Sequence, residues 1–122
     1  MLHYRAALMD SFPKSALMLV EQMKAACAAE PDRAVAFQGA PGANSHRAAL
    51  EVDPNCLPLP CFSFEDAIDA VKDGTAARAV IPIENSLHGR VADIHFLLPE
   101  SGLSIIAEHF LGITHCLMAK RA

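Results

Sequence analysis

Three consecutive polar side chains are the strongest chemical feature of the second half of the chain, where Glu84, Asn85 and Ser86 supply a carboxylate, a carboxamide and a hydroxyl. They follow the apolar run Ala79-Val80-Ile81, which predicts a short buried strand that ends in a polar loop from Pro82. In open α/β sheets ligands bind outside the carboxyl ends of the strands, so this loop is predicted to bind a polar small molecule. The alternative is a strand end with an ordinary turn, because Asn and Ser are common turn residues.

A second candidate loop follows an earlier strand. The run Ala34–Phe37 predicts a buried strand, and residues 38–44 predict a loop that contains two glycines. Ser45 is predicted to cap a helix from His46 to about Val52. Such a unit forms an anion site, because backbone N–H groups and the helix dipole point at the loop. The alternative is an ordinary β–α turn, since the loop matches neither the P-loop nor the dinucleotide glycine pattern.

The elements that must position these loops alternate between helices and strands. A helix is predicted over residues 15–29, with one apolar stripe. The stripe consists of Leu19, Met23 and Cys27, flanked by Ala16 and Val20. Residues 57–62 are extended, and their two prolines predict an edge strand or a short strand. Ser63 then begins an amphipathic helix that ends at Gly74.

The last third of the chain completes the pattern. A short helix is predicted after Val91, and two apolar strands are predicted over residues 103–110 and 113–118. Strands that alternate with helices predict an α/β domain with a mixed or largely parallel sheet. In a parallel sheet the two candidate loops open at the same edge.

The chain is predicted to divide at about residue 32. Residues 1–32 form an N-terminal helical extension, and residues 33–122 form the organised domain. The final apolar strand ends at Met118, four residues before the last position, and is predicted to leave an uncovered sheet edge. We therefore expect an incomplete domain, whose C-terminal strand is covered in a homo-oligomer or by a partner chain.

Composition excludes several classes of function. A net charge of −4 without a Lys/Arg cluster argues against a nucleic-acid partner, and no apolar run has the length of a membrane span. Four cysteines without C-x-x-C spacing predict free thiols in a reducing compartment, so we expect a cytoplasmic protein. No His/Cys cluster has metal-site spacing, and a structural or surface role is predicted for four histidines. These are His88, His95, His109 and His115.

Four motifs occur in a fixed order between Arg33 and Met118. They are Phe37-Gln38-Gly39-x-x-Gly42-Ala43-x-Ser45, Cys61-x-Ser63-Phe64-Glu65, Ala70-Val71-x-x-Gly74 and Pro82-Ile83-Glu84-Asn85-Ser86-x-x-Gly89-x-Val91. In sequence and spacing this region resembles the N-terminal part of the prephenate dehydratase catalytic domain. The resemblance implies a fold like that of the type II periplasmic binding proteins, in which two α/β lobes enclose an active-site cleft.

Members of that family convert prephenate into phenylpyruvate with loss of water and carbon dioxide, a step of phenylalanine biosynthesis that uses no cofactor. The resemblance implies that Glu84 and Asn85 are catalytic. Asn85 hydrogen-bonds the substrate, and Glu84 orients neighbouring groups or donates a proton if burial raises its pKa. It also implies a set of substrate-binding positions. They are Gly39, Gly42, Ala43, Asn44, Ser45, Ser86 and Gly89.

The chain also departs from the family pattern. The family's Thr-Arg-Phe motif carries the expected catalytic hydroxyl, whereas Thr75 and Thr114 are the only threonines here and neither precedes Arg-Phe. The Ser-His-Pro-Gln segment is also absent. We therefore expect little or no dehydratase activity from the chain alone. Two other interpretations stay open: a catalytically dead module that binds prephenate or an aromatic acid, and a structural fragment completed by a partner chain.

Overall fold

A computed structural model describes residue 12 and residues 14–85, 89–90, 101–110 and 113–120. Helices and strands alternate between residues 14 and 85, as the sequence predicted. The helices are Lys14–Ala29 (α1), Asn44–Val52 (α2) and Phe64–Asp73 (α3), and a short 3-10 turn spans Pro31–Arg33. The strands are Ala34–Gln38 (β1), Leu57–Cys61 (β2), Arg78–Asn85 (β3), Gly89–Arg90 (β4), Ser104–Phe110 (β5) and Ile113–Ala119 (β6).

The strands form one mixed sheet in the order β2-β1-β3-β6-β5, with β4 paired to the end of β3. β1 is parallel to both β2 and β3, whereas β6 is antiparallel to both β3 and β5. The predicted α/β class with a mixed sheet is therefore confirmed. Because the chain leaves β1 towards β2 and then returns to the other side of β1 as β3, the sheet has a topological switch point between β1 and β3.

Helices cover both faces of the sheet, and each face has its own apolar core. On one face α2 packs through Ala48 and Ala49 against Val35, Val80 and Leu117. On the other face α1 and α3 pack against the alternate positions of the same strands. That core includes Cys27, Ala34, Ala36, Leu59, Ala67, Ala70, Val71, Ala79, Ile81, Cys116 and Met118. The fold thus has three layers, with α2 on one face of the sheet and α1 and α3 on the other among the described elements.

The unit from β2 to α3 agrees with its local sequence signals. β2 is an edge of the sheet, as its prolines predicted, because a proline cannot donate to a neighbouring strand. The Ser63 side chain accepts a hydrogen bond from the Asp66 N–H at 3.1 Å and caps α3. Gly74 ends the helix with a positive φ of 88°. These predictions are confirmed.

The apolar stripe predicted for α1 is only partly correct. Val20 and Cys27 are buried, but Leu19 is 46% exposed. The two buried positions are seven residues apart, so they lie on the same side of the helix. This side packs on the edge strand β2, where the Cys27 thiol lies 3.3 Å from the Leu57 carbonyl oxygen. The helix therefore buries a narrower surface than its composition predicted.

The prediction that the last strand is an uncovered edge is wrong. β6 lies between β3 and β5, and β5 is the edge strand on that side of the described sheet. Ile105 and Ile106 of β5 are 49% and 37% exposed. A partner strand that extends the sheet on this side would therefore pair with β5 and not with the C-terminal strand.

Candidate functional site

The two loops singled out by the sequence lie at the same edge of the sheet. β1 and β3 run side by side, with Phe37 opposite Val80 near the end of β1. β1 ends at Gln38, but β3 continues to Asn85. The same register sets Gly39 level with Pro82, so at about 3.3 Å per residue Glu84 and Asn85 lie roughly 7 and 10 Å beyond the point where the loop leaves β1. The site is therefore at the topological switch point, where ligands bind in open α/β sheets.

The stretch from Pro82 is part of a strand, so the prediction of a loop there is wrong. Pro82 lies opposite His115 of β6, and a β-bulge occurs before Glu84 lies opposite Thr114. Strand β4 pairs with the same stretch and sets Gly89 opposite Asn85. Strand pairing on both sides fixes this backbone, and bulges of this kind are frequent next to active sites. The predicted positions Asn85 and Gly89 are therefore cross-strand neighbours.

Some predicted positions lie outside the described residues. They are Ser86, His88, His95 and the helix predicted after Val91. For Glu84, Asn85 and Gly89 the structure describes the backbone. The geometry of the site is therefore defined by the backbone positions of β3 and β4 and by the side chains around the loop after β1.

Internal hydrogen bonds hold that loop. The Gly39 N–H donates to the Cys61 carbonyl at 3.0 Å, and the Ala43 N–H donates to the Ala40 carbonyl at 3.1 Å. The Gly42 N–H donates to Nδ1 of His46 at 2.8 Å. Three of the N–H groups that the sequence offered for anion binding are thus used within the protein. They make the loop rigid and leave the helix after the loop as the source of anion donors.

The two loop glycines have positive φ values, 134° at Gly39 and 90° at Gly42. A side chain at Gly39 would also meet its neighbour, because an added Cβ would lie 3.1 Å from the Ala43 Cβ. Gly39 is therefore required both for its backbone conformation and for the close approach of the loop to the helix.

The His46 side chain holds this loop in place, a role that the sequence pattern did not predict. Its ring stacks on Phe37, with 5.3 Å between the ring centroids and 18° between the planes. Burial lowers the pKa of His46 from its ordinary value of 6.5. A lower pKa keeps the ring neutral, and a neutral ring can accept the Gly42 N–H at Nδ1. The sequence feature that could have indicated this contact is the spacing of four residues between Gly42 and His46.

Helix α2 begins without the usual cap. It starts at Asn44, its N-cap residue is Ala43, no side chain caps it, and no acidic residue lies in its first turn. Its first backbone hydrogen bond runs from the Arg47 N–H to the Ala43 carbonyl at 3.1 Å. The N–H groups of residues 44–46 precede that bond, so they point out of the positive end of the helix dipole. We call residues Ala43–His46 the α2 start.

Ser45 is not the N-cap of α2, contrary to the prediction. It is the second residue of the helix, it is buried, and its Oγ lies 3.2 Å from Nε2 of His115. His115 is itself 1% exposed. No local pattern signals this contact, because the two residues are 70 positions apart. The contact joins the α2 start to β6 directly beside Pro82.

The cysteines are not suited to nucleophilic chemistry. All four are free, and Cys27, Cys56 and Cys116 are buried. Burial raises the pKa of every one of them, to about 11 for Cys27 and about 12 for Cys61. A thiol with such a pKa is protonated at neutral pH and is a poor nucleophile.

Metal ligation and membrane insertion find no support in the described part of the chain. No three His, Cys, Asp or Glu side chains there are grouped so that they could hold a metal ion. Among the helices of the same residues, none is both long and apolar enough to cross a membrane.

The chain is similar in sequence to known dehydratases. The prephenate dehydratase family model matches residues 35–122. A bifunctional N-acyl-homoserine lactone acylase/prephenate dehydratase of Komagataeibacter europaeus is 52% identical over 87 residues, which are 71% of this chain and 31% of that protein. The chloroplastic arogenate dehydratase/prephenate dehydratase 6 of Arabidopsis thaliana is 47% identical over 85 residues, or 70% of this chain and 21% of that protein.

Two solved structures are similar in fold. One is described as a novel type of quorum-quenching acylase, GqqA; it has a TM-score of 0.68 and 46% identity, and the match covers 74% of this chain and 48% of that one. The other is prephenate dehydratase from Streptococcus mutans, with a TM-score of 0.66 and 24% identity over 70% of this chain and 48% of that one. The chain therefore spans about half of these structures, and its fold is part of the predicted periplasmic-binding-protein-like domain.

The residues that carry the site all lie within the family match. The loop with Gly39 and Gly42, the α2 start and the β3 stretch with Glu84 and Asn85 fall inside residues 35–122. Because that match covers most of the chain and agrees with the fold, this chain belongs to the prephenate dehydratase family.

Proposed function

We propose that this chain forms the substrate-binding part of a prephenate dehydratase active site. One observation carries the proposal: the uncapped α2 start lies at the same sheet edge as the Glu84–Asn85 stretch of β3. The helix start offers N–H groups and a positive dipole to a carboxylate. The strand end brings a glutamate and an asparagine to the switch point between β1 and β3, where small molecules bind in open α/β sheets.

The chemistry fits a site of this kind. Prephenate loses its ring carboxylate as carbon dioxide, and the electron pair of the broken C–C bond enters the ring. The ring hydroxyl leaves from the opposite position, takes up a proton and departs as water, which gives the aromatic ring of phenylpyruvate. The reaction is a redox-neutral elimination, so we propose that it needs no cofactor. The protein must hold a dianion and deliver one proton to the leaving oxygen.

The proposed roles meet these needs. The N–H groups of the α2 start bind a substrate carboxylate, and Asn85 hydrogen-bonds the substrate. Glu84 orients neighbouring groups or donates the proton to the leaving hydroxyl. Ser86 and Gly89 complete the contacts. The internal hydrogen bonds of the loop before α2 support this assignment indirectly, because they preorganise the backbone that leads into the helix.

We further propose that this chain alone binds prephenate but turns it over slowly or not at all. The Thr-Arg-Phe motif that the family uses is absent from these 122 residues. Relatives carry names for both prephenate and arogenate dehydratases, so both compounds are candidate substrates. The contacts proposed here address a carboxylate, which the two substrates share.

Calorimetry with prephenate, together with an assay for phenylpyruvate, tests the proposal. We expect binding by the intact chain, and at least tenfold weaker binding in the double variant Glu84→Ala, Asn85→Ala. The matched control is the double variant Glu21→Ala, Asn55→Ala, which removes the same groups from exposed positions outside the site. Absence of binding at millimolar prephenate by a folded sample would contradict the proposal. Turnover like that of a full-length enzyme would contradict the expected inactivity.

One observation favours a second candidate function, the hydrolysis of an N-acyl-homoserine lactone amide. Ser45 Oγ lies 3.2 Å from His115 Nε2, which is the contact between a serine nucleophile and its general base. A relative of 52% identity and a structure of 46% identity carry acylase names. The candidate ranks second because Ser45 is 6% exposed and His115 is 1% exposed, whereas a nucleophile must meet its substrate. Release of homoserine lactone by the chain, lost in Ser45→Ala, would support it.

The proposed setting is the cytoplasm. The four free thiols support a reducing compartment, because paired cysteines are the usual state of secreted proteins of this size.

A second copy or a partner chain is also proposed, and the exposed isoleucines of β5 make that edge its contact site. Size-exclusion chromatography with light scattering checks the partner, and a strictly monomeric, cooperatively unfolding sample would exclude it.

A further inference from the structure

The contact between Ser45 and His115 joins the two halves of the proposed site. Ser45 belongs to the α2 start, and His115 lies on β6 opposite Pro82, the residue that begins the stretch leading to Glu84 and Asn85. Proline has no N–H to give to β6, so the backbone pairing is weaker at this point. A side-chain contact at the same level therefore connects α2 with the strands just where the site begins.

The α2 start also needs an anchor of this kind, because no N-cap side chain holds it. The far end of α2 is fixed differently, since Asp53, directly after the helix, forms an ion pair with Arg78 at the beginning of β3. The Ser45–His115 contact gives the near end an equivalent long-range attachment. It does so without occupying the N–H groups of the first turn.

Burial decides between the two chemical interpretations of this contact. Ser45 is 6% exposed and His115 is 1% exposed, so the pair is sealed within the fold. A sealed hydrogen bond fixes geometry, whereas an exposed one can transfer a proton to a ligand. We infer that His115 is a positioning residue, which holds the anion-binding α2 start at its working distance from Glu84 and Asn85 through Ser45. The inference rests on the proposed function for its ligand, but the contact itself is independent of that function.

Substitutions of both partners test this inference. His115→Leu fills a similar volume without a polar group, Ser45→Ala removes the hydroxyl, and His115→Gln restores a polar group that can bond to Ser45 Oγ. We expect His115→Leu and Ser45→Ala each to weaken prephenate binding about tenfold, with no further loss in the double variant. His115→Gln is expected to bind within about threefold of the intact chain. Leu117→Ala is the matched control: it lies two residues along β6, packs under α2 and is expected to destabilise the fold without weakening binding.

A second measurement does not depend on a ligand. Amide hydrogen exchange of residues 47–49, whose N–H groups donate to the carbonyls of residues 43–45, is compared with that of the α3 residues 67–69 and reports whether the α2 start stays fixed in each variant. We expect exchange at residues 47–49 to rise at least tenfold in His115→Leu, and to stay unchanged relative to α3 in Leu117→Ala. Unchanged exchange in folded His115→Leu would overturn the inference. If the intact chain fails to bind prephenate but His115→Leu still loosens the α2 start, the positioning role stands and the proposed function fails.

A nucleophilic Ser45 would produce a different pattern. In that case Ser45→Ala would lose amide hydrolysis completely while its exchange at residues 47–49 stays unchanged. That combination would overturn the positioning role.

Discussion

Helices α2 and α3 begin in similar sequence contexts, but their first turns have different roles. Each helix comes after a parallel strand, and each has a serine close to its first residue. Ser63 accepts the Asp66 N–H and closes the start of α3, where Glu65 and Asp66 add negative charge. Ser45 instead lies one position inside α2 and contacts His115 on a distant strand.

The start of α3 therefore has a structural role, whereas the start of α2 is suited to bind a ligand. At α3 the Ser63 side chain satisfies the Asp66 N–H and two acidic side chains offset the dipole, so this helix start is poorly suited to bind an anion. At α2 the serine is committed to the core and the N-cap residue is Ala43, so the N–H groups and the dipole face the sheet edge. A helix start that lacks its local cap, but is held from elsewhere, is suited to bind an anion.

The loop that leads into α2 should be the most sensitive point of the site. Gly39→Ala is expected to lower the free energy of unfolding by about 3 kcal/mol and to abolish prephenate binding, because the backbone is strained and the new Cβ would crowd Ala43. Gly74→Ala at the end of α3 is the control, with a positive φ but no atom within 4 Å of its added Cβ. It is expected to cost about 1 kcal/mol and to leave binding unchanged. Chemical denaturation and calorimetry measure both quantities, and equal binding by the two variants would show that the loop before α2 has no special part in the site.

A capping side chain at the start of α2 should make this helix start resemble that of α3. Ala43→Asp places a carboxylate at the N-cap position, where the backbone is already extended. We expect the free energy of unfolding to rise by about 1 kcal/mol and prephenate binding to weaken at least tenfold, because the new carboxylate occupies the anion site. Ala43→Asn is the control that caps without charge and should weaken binding less. Tighter prephenate binding by the aspartate variant would contradict an anion site at the α2 start.

Removing the cap of α3 should affect stability alone. Ser63→Ala is expected to lower the free energy of unfolding by about 1 kcal/mol, since it leaves the Asp66 N–H without its acceptor. Prephenate affinity, measured by calorimetry, is expected to stay the same, because this helix start plays no part in the site. A loss of affinity in the folded variant would show that α3 also contributes.

A change of pH is expected to affect the free energy of unfolding less than these substitutions do. The pKa of His46 is lowered by burial, so the unfolded chain binds more protons than the folded one between the folded pKa and 6.5. Stability is therefore expected to decline as the pH falls from about 6.5 towards the folded pKa. Protonated Nδ1 can no longer accept the Gly42 N–H, so the loop loosens over the same range. His46→Phe keeps a ring on Phe37 and should remove this part of the pH dependence in urea unfolding; an unchanged profile would contradict the assignment.

Local signals predicted the parts of the fold that local contacts determine. The cap at Ser63, the end of α3 at Gly74 and the edge position of β2 all depend on side-chain or backbone properties within a few residues. The alternation of strands and helices also predicted the α/β class correctly. The family resemblance was confirmed, and its motifs fall within residues 35–122.

Distant contacts account for what the sequence did not predict. The residues after Ile81 resemble a loop, but β6 pairs with them from about 30 positions away and makes them a strand. Ser45 resembles a cap, but His115 binds it across 70 positions. The last strand resembles an edge, but β3 pairs with it from roughly 30 to 40 positions away and places it between β3 and β5. Each error has the same cause, since a strand that is distant along the chain overrules the local pattern.

An NMR titration of the labelled chain with prephenate would decide most directly whether the α2 start is the anion site. The amide signals of the two helix starts are compared in the same sample. We predict saturable shifts at residues 44–46 of α2 and none at residues 64–66 of α3. Shifts of equal size at both helix starts, or no shift at residues 44–46 while prephenate binds elsewhere, would contradict this assignment.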